Sequence, residues 1–168
     1  MKPPALRQLR AVPLTADAFR PFGEVIETDN ASEIRLINEG TTTRFHDIAP
    51  VDVSAEGGRA LISIFRGKPF EAPVRIAMLE RHPLGSQAFV PLEGRAFLVV
   101  VAPDRNGSPG EPLAFLASGR QGVSYARGTW HHPLIALEEP SDFLVVDRGG
   151  PGGNLVEFML PEPMLVAI

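Results

Sequence analysis

The sequence predicts a mainly β protein, a sandwich or barrel with a few short helices, and residues 1–168 form one domain. Three observations lead there. From residue 61 onward, short segments rich in branched and aromatic side chains recur at a spacing of roughly 10 residues, as strands of a sandwich or barrel do. Glycine (16 residues) and proline (17) are spread along the whole chain, so they read as turns and not as a linker. The intervals between the segments are too short for repeated crossover helices, which argues against a parallel α/β sheet. A chain of this length can bury roughly 70% of the surface its unfolded form exposes, enough for a core without staples.

In chain order, the first element is a helix. Thr15 can cap it, Asp17 favours its positive end, and Phe19 and Phe22 supply an apolar stripe. Pro21 limits it to one or two turns and Gly23 ends it. Residues 30–56 are more polar and leave their structure open. The strand candidates are residues 61–65, 76–79, 88–90, 97–101, 113–116, 123–125, 134–137 and 143–146. The glycine-rich stretch 149–153 reads as a flexible surface loop before a last strand near 155–160. Residues 164–168 form an apolar end that either seeks a partner surface or packs on its own barrel.

Composition narrows the function. Apolar residues make up 44% and charged residues 21%, the balance of an ordinary globular chain. A net charge of −4 gives no basic field for a phosphate backbone, so nucleic acid is not an expected partner. The absence of cysteine excludes a disulfide scaffold, a thiolate zinc site and a cysteine nucleophile. The longest apolar run, residues 96–102, is far too short to span a membrane, and the first residues lack the apolar stretch of a signal peptide. The expectation is a soluble cytoplasmic protein acting on something small. Glycines 85, 94, 128 and 149 read as turn residues with unusual backbone angles, and they form no phosphate loop.

The chain has four histidines, His46, His82, His131 and His132. In Glu80-Arg81-His82, alternation sends Glu80 and His82 to one face and Arg81 to the other. Gln87 follows, and then the turn at Gly94. Farther along comes Ala126-Arg127-Gly128-Thr129-Trp130-His131-His132-Pro133. On an extended segment His131 and His132 face opposite ways, so at most one enters a barrel. For His46, beside Arg44 and Asp47, a surface ion pair is the simplest reading. Arg44 and His46 share a face by the same alternation. Trp130 and Tyr125 read as core or rim packing.

The spacing resembles the two signatures of the cupin superfamily. The first is His-x-His, four residues, Glu, six residues, Gly; here Glu80, His82, Gln87 and Gly94 stand at those positions. The second, Pro-x-Gly-x-x-His, here reads Ala126-x-Gly128-x-x-His131, which selects His131 over His132. Glu80 thus replaces a histidine and Gln87 a glutamate. Longer blocks resemble the ureidoglycolate lyase family: Glu80 through Phe89, Trp130-His131-His132-Pro133-Leu134, and Phe143 through Gly150. Phe22-Gly23-Glu24-Val25-Ile26-Glu27, Arg44-Phe45-His46-Asp47 and Leu61 through Arg66 add to it. The resemblance implies a cupin-like double-stranded β-helix, a jelly-roll barrel, that forms a homodimer. It also implies cleavage of (S)-ureidoglycolate to glyoxylate and urea in allantoin (purine) catabolism.

The residues suit that reaction. Ureidoglycolate is a carbinolamine bearing a carboxylate, so its cleavage needs a group to hold the carboxylate, a base for the hydroxyl proton and an acid for the departing nitrogen. Arginine offers a planar fork for a carboxylate, and the candidates are Arg44, Arg66 and Arg148, with Gln87 as a further substrate contact. Arg148 either caps the sheet as an ion pair with Asp147 or points into the pocket. His82 and His131 are the candidates for proton transfer, each step worth about 10²–10⁴-fold, and Glu80 orients a histidine or acts as the base. Alternatively Glu80, His82, Gln87 and His131 hold a divalent metal that stabilises the hydroxyl as an alkoxide. Such an N/O set suits nickel, manganese, iron or zinc, and the family resemblance points first to nickel. No organic cofactor is expected. Two rival functions remain open: an amidohydrolase releasing ammonia from the same compound, and a non-catalytic cupin binding a small carboxylate.

Overall fold

The structure, a computed structural model, describes residues 6–168. Strands β1 (Arg7–Arg10) and β2 (Val12–Pro13) precede one helical turn, α1 (Ala16–Phe19), and β3 (Gly23–Ile26). A hairpin of β4 (Glu33–Ile37) and β5 (Thr42–His46) follows. Next come β6 (Arg59–Gly67), β7 (Val74–Arg81), β8 (Gln87–Pro91) and β9 (Phe97–Ala102), then a small ribbon of β10 (Asp104–Arg105) and β11 (Ser108–Pro109). The chain ends with β12 (Leu113–Ala117), β13 (Gly122–Tyr125), β14 (Trp130–His131), β15 (Ile135–Ala136), β16 (Ser141–Gly149) and β17 (Val156–Ala167). Single 3-10 turns at Thr28–Asn30, Asn38–Gly40 and Ala55–Gly57 are the other helical pieces.

Two sheets form a cupin-like barrel. The larger runs β1-β17-β7-β14-β9-β12-β2, with β15 also on β9; the smaller runs β3-β13-β8-β16-β6. The larger sheet curls until β1 nears β12, where Arg7 pairs with Glu111. One core fills the barrel between the sheets and includes Phe19, Phe89, Phe97, Phe115, Tyr125 and Phe143. A second core lies on the other side of the larger sheet, around Ile76, Leu79, Leu98, Val100, Trp130 and Val166. Strand β9 serves both: Phe97, Val99 and Val101 enter the first core, Leu98, Val100 and Ala102 the second. That double duty explains why its sequence is apolar without alternation.

All eight strand candidates are strands. Thr15 caps α1, its hydroxyl oxygen accepting from the Ala18 N–H at 3.3 Å. The turn ends at Phe19, before Pro21, so Gly23 does not close it but opens β3. Gly23 has φ +145°, and a Cβ there would fall on the Ser124 carbonyl oxygen, so no other residue fits between β3 and β13. Gly85 and Gly149 differ from the turn reading. Neither has a positive φ; the Arg148 side chain crowds the first and Leu61 the second, so space and not backbone angle selects glycine. The open stretch 30–56 contains the β4–β5 hairpin, which pairs with no other strand among the described residues. The apolar end packs on its own barrel: Met164 and Val166 are buried where β17 lies between β1 and β7.

Candidate active site

The site forms where β7 and β14 pair. His131 lies opposite Glu80 in register, so both side chains leave the same face. His82, two residues past Glu80, joins them from the end of β7. Glu80 Oε1 is 3.5 Å from His131 Nε2 and 3.8 Å from His82 Nε2, and the two imidazole centroids are 5.2 Å apart. Arg81 turns the other way, as alternation demands: its guanidinium lies 4.5 Å over the Trp130 ring and pairs with Asp104.

Hydrogen bonds fix both rings. His131 Nδ1 donates to the Thr129 carbonyl at 2.9 Å, which turns Nε2 to the Glu80 side. That Nε2 is buried with no hydrogen-bond partner. The Tyr125 ring stacks on His131 at 4.2 Å and 11°. His82 Nδ1 donates to the Asn154 carbonyl at 2.8 Å, and its Nε2 lies 3.1 Å from Gln87 Oε1. Asn154 is itself tied, its Oδ1 accepting from the Leu84 N–H at 2.8 Å, so the glycine-rich stretch is anchored at its end. Burial works to raise the Glu80 carboxyl, but His131, with His82 and His132 beyond it, outweighs burial and holds its pKa below the ordinary value. Glu80 is therefore an anion. Burial pushes the Tyr125 phenol well above its usual range, so it stays neutral.

Glu80 and Gln87 line a cavity of about 420 Å³. Its wall includes Phe65 and Phe89, with Glu80 and Gln87 deeper and Arg66 and Lys68 on the β6 side. Such a volume lies in the range of small-molecule pockets.

The predicted residues separate accordingly. Glu80, His82, Gln87 and His131 come together. Arg66 reaches the cavity wall, but Asp142 holds its guanidinium through Nε at 2.7 Å and Nη2 at 2.9 Å. Arg148 is not brought to the cavity; it is buried, with Nη2 donating to the Ala55 and Pro151 carbonyls at 2.8 and 2.6 Å. It forms no ion pair with Asp147. Arg44 lies exposed on the β4–β5 hairpin and does not line the cavity. His46 makes no ion pair among the described residues, and its Nδ1 is buried without a partner. His132 faces away from His131, its Nδ1 donating to the Pro133 carbonyl and its ring edge-on to Phe70. Tyr125, read as core or rim packing, lies in the barrel core and also stacks on His131, whereas sequence reasoning missed Lys68, Asn154 and the place of Asp147. Of these, Lys68 alone carried a local signal, two positions after Arg66.

Comparison with known proteins decides the family. The family model described as ureidoglycolate lyase matches residues 6–167. The chain belongs to the ureidoglycolate lyase family. Curated relatives named ureidoglycolate lyase agree. That of Brucella anthropi is 59% identical over 150 residues, covering 89% of this chain and 88% of the relative. That of Rhizobium etli is 58% identical over 154 residues, 92% of each chain. That of Burkholderia mallei is 58% identical over 159 residues, covering 95% and 93%.

The donor set also fits a divalent metal. One ligand atom each from Glu80, His82 and His131 lies within 4.8 Å of the others. A buried ring nitrogen without a hydrogen-bond partner, facing an anionic carboxylate, is completed by a cation shared between the two, and Nε2 of His131 is so placed.

Proposed function

We propose that this protein is a ureidoglycolate lyase, splitting (S)-ureidoglycolate into glyoxylate and urea in allantoin (purine) catabolism. Its similarity over nearly the full length to proteins of that name carries the reading, together with the Glu80–His82–His131 cluster beside the cavity that Glu80 lines. In the reaction the hydroxyl loses its proton, the carbon–nitrogen bond breaks with its electrons going to nitrogen, and the urea nitrogen gains a proton. Glu80, held anionic, is placed to accept the first proton. His82 faces an oxygen acceptor with each ring nitrogen, which suits it to carry and give the second. Lys68, which makes no ion pair among the described residues, and the edge of the Arg66 fork lie where the carboxylate would be held. Phe65 and Phe89 exclude water from one side.

In the alternative arrangement Glu80, His82 and His131, with the Gln87 carbonyl oxygen, would instead hold a divalent metal, nickel by first choice. Such an ion, when bound, acts as a Lewis acid on an oxygen of the substrate. Dialysis against a chelator is expected to lower activity at least about tenfold, and nickel to restore it. Activity unchanged after dialysis would leave the proton-transferring side chains to act alone.

Product analysis tests the reaction. Purified protein with (S)-ureidoglycolate should give urea and glyoxylate in equal amounts. Ammonia in step with glyoxylate, without urease, would assign the amidohydrolase instead. Glyoxylate binding without turnover would assign a non-catalytic cupin.

The reading extends to a homodimer in the cytoplasm. Ile62 and Ile64 on β6 are 75% and 54% exposed, with Val146 and Leu144 beside them in register, an apolar sheet face. On the β4–β5 hairpin, Ile34 and Leu36 are 65% and 69% exposed. No helix among the described residues is long and apolar enough to cross a membrane. Light scattering at micromolar concentration should give twice the chain mass, and Ile62→Asp should shift it toward the single chain; a wild-type monomer would end this part of the reading.

A further inference from the structure

We infer that Asp147 is a positioning residue: it orients the Gln87 amide so that the carbonyl oxygen, and not the NH₂ group, faces the site. On β16 the inward row runs Phe143, Val145, Asp147, so a carboxylate ends a line of fully buried apolar side chains. Asp147 itself is only partly buried. No ion pair involves Asp147 among the described residues, because Arg148 alternates away and spends its fork on the Ala55 and Pro151 carbonyls. The partner is Gln87, whose Nε2 donates to Asp147 Oδ2 at 3.2 Å.

The chemistry of the acceptor fixes the amide. The two ends of a glutamine amide have nearly the same shape, so their partners decide which end points where. An ionised carboxylate only accepts, so the NH₂ end belongs on Asp147. The carbonyl end then lies 3.1 Å from His82 Nε2. His82 cannot turn to escape this, because its Nδ1 is committed to the Asn154 carbonyl. Gln87 is buried on one side and lines the cavity on the other, so its contact with Asp147 is what holds the amide. Without Asp147 the amide gains the choice of turning over, and the site would then meet a donor where it now meets an acceptor. The inference holds whether His82 carries a proton on Nε2 or joins Glu80 and His131 around a metal, since both require an oxygen from Gln87. Its kinetic test rests on the lyase reading above; its spectroscopic test does not.

Three variants of the full chain test it. Asp147→Leu keeps the approximate shape and removes the acceptor. It should lower kcat at least about tenfold with a much smaller change in KM and an intact thermal transition. Gln87→Glu alone sets two carboxylates against each other and should lose activity likewise. Gln87→Glu combined with Asp147→Asn reverses the donor and acceptor ends and still turns an oxygen to His82, so it should recover to within about fivefold of the original rate. A purely structural role for Asp147 predicts no such rescue. In ¹H–¹⁵N spectra the Gln87 side-chain amide, assigned by its loss in Gln87→Glu, should exchange slowly with solvent and lose that protection in Asp147→Leu. A folded Asp147→Leu with unchanged kcat and unchanged amide exchange overturns the inference, as does a double variant no better than Gln87→Glu. If Asp147→Leu does not fold, the comparison of the double variant with Gln87→Glu decides. If the unaltered protein leaves ureidoglycolate intact, the lyase reading fails and the amide spectrum alone decides on Asp147.

Discussion

Replacing His131 by alanine should lower kcat by at least about 10²-fold, the loss typical of a removed acid, base or metal ligand. The expectation follows from four features of one side chain. Its Nε2 is buried and without a partner, 3.5 Å from an anionic carboxylate. Its Nδ1 is fixed on the Thr129 carbonyl, so the ring cannot offer the other nitrogen. The Tyr125 ring lies flat against it, which sets its plane. And it is the ring that lowers the Glu80 carboxyl most, so its loss also removes what keeps that group charged against burial. His82→Ala should act in the same direction. Both rates are to be measured on variants whose thermal transitions show that they fold. A folded His131→Ala variant with a near-normal rate would take this imidazole out of the mechanism.

The largest expected loss of stability comes from the neighbouring residue on the opposite face. Trp130→Ala should cost about 3–5 kcal/mol, the range for deleting a large buried aromatic side chain. The ring is buried in the second core, edge-on to Phe158 with centroids 6.0 Å apart. Its Nε1 donates to Asp104 Oδ1 at 2.9 Å, and the Arg81 guanidinium covers one face. Alanine removes the packing and leaves Asp104 and Arg81 without the surface they were set against. Trp130→Phe keeps most of the ring and loses the hydrogen bond, so it should cost about 1 kcal/mol plus a smaller packing loss. Urea unfolding at 25 °C measures both. Equal stability of the alanine variant and the original chain would mean that the second core contributes little.

Which parts of this were legible in the sequence follows from the range of the interactions. Strands such as 97–101 and 143–146 were legible because an apolar run between turn formers is a local signal. The β4–β5 hairpin was not, since Ile34 and Leu36 point outward and its polar residues hide the alternation. The pairing of Glu80 with His82 was legible from alternation alone. The choice of His131 over His132 needed the family signature, because alternation separates the two without saying which faces inward. Arg148 could not be assigned from its neighbours: its partners, Ala55 and Pro151, are loop carbonyls, and the first is far away in sequence. The chain from Asp147 through Gln87 to His82 joins three strand ends and was invisible for the same reason. The lone apolar end was ambiguous until β1 and β7 were found on either side of it.

Because β9 has no solvent-facing side, the barrel interior and the layer behind it share one wall. Neither half can loosen while the other stays whole, so damage at a residue remote from the cavity, such as Ile76 or Val166, is transmitted as a change in how well β7 and β14 hold their register. A lesion there would show itself first as a blunted enzyme and only afterwards as an unfolded one, and no fragment carrying the cavity alone could be cut free with its geometry preserved.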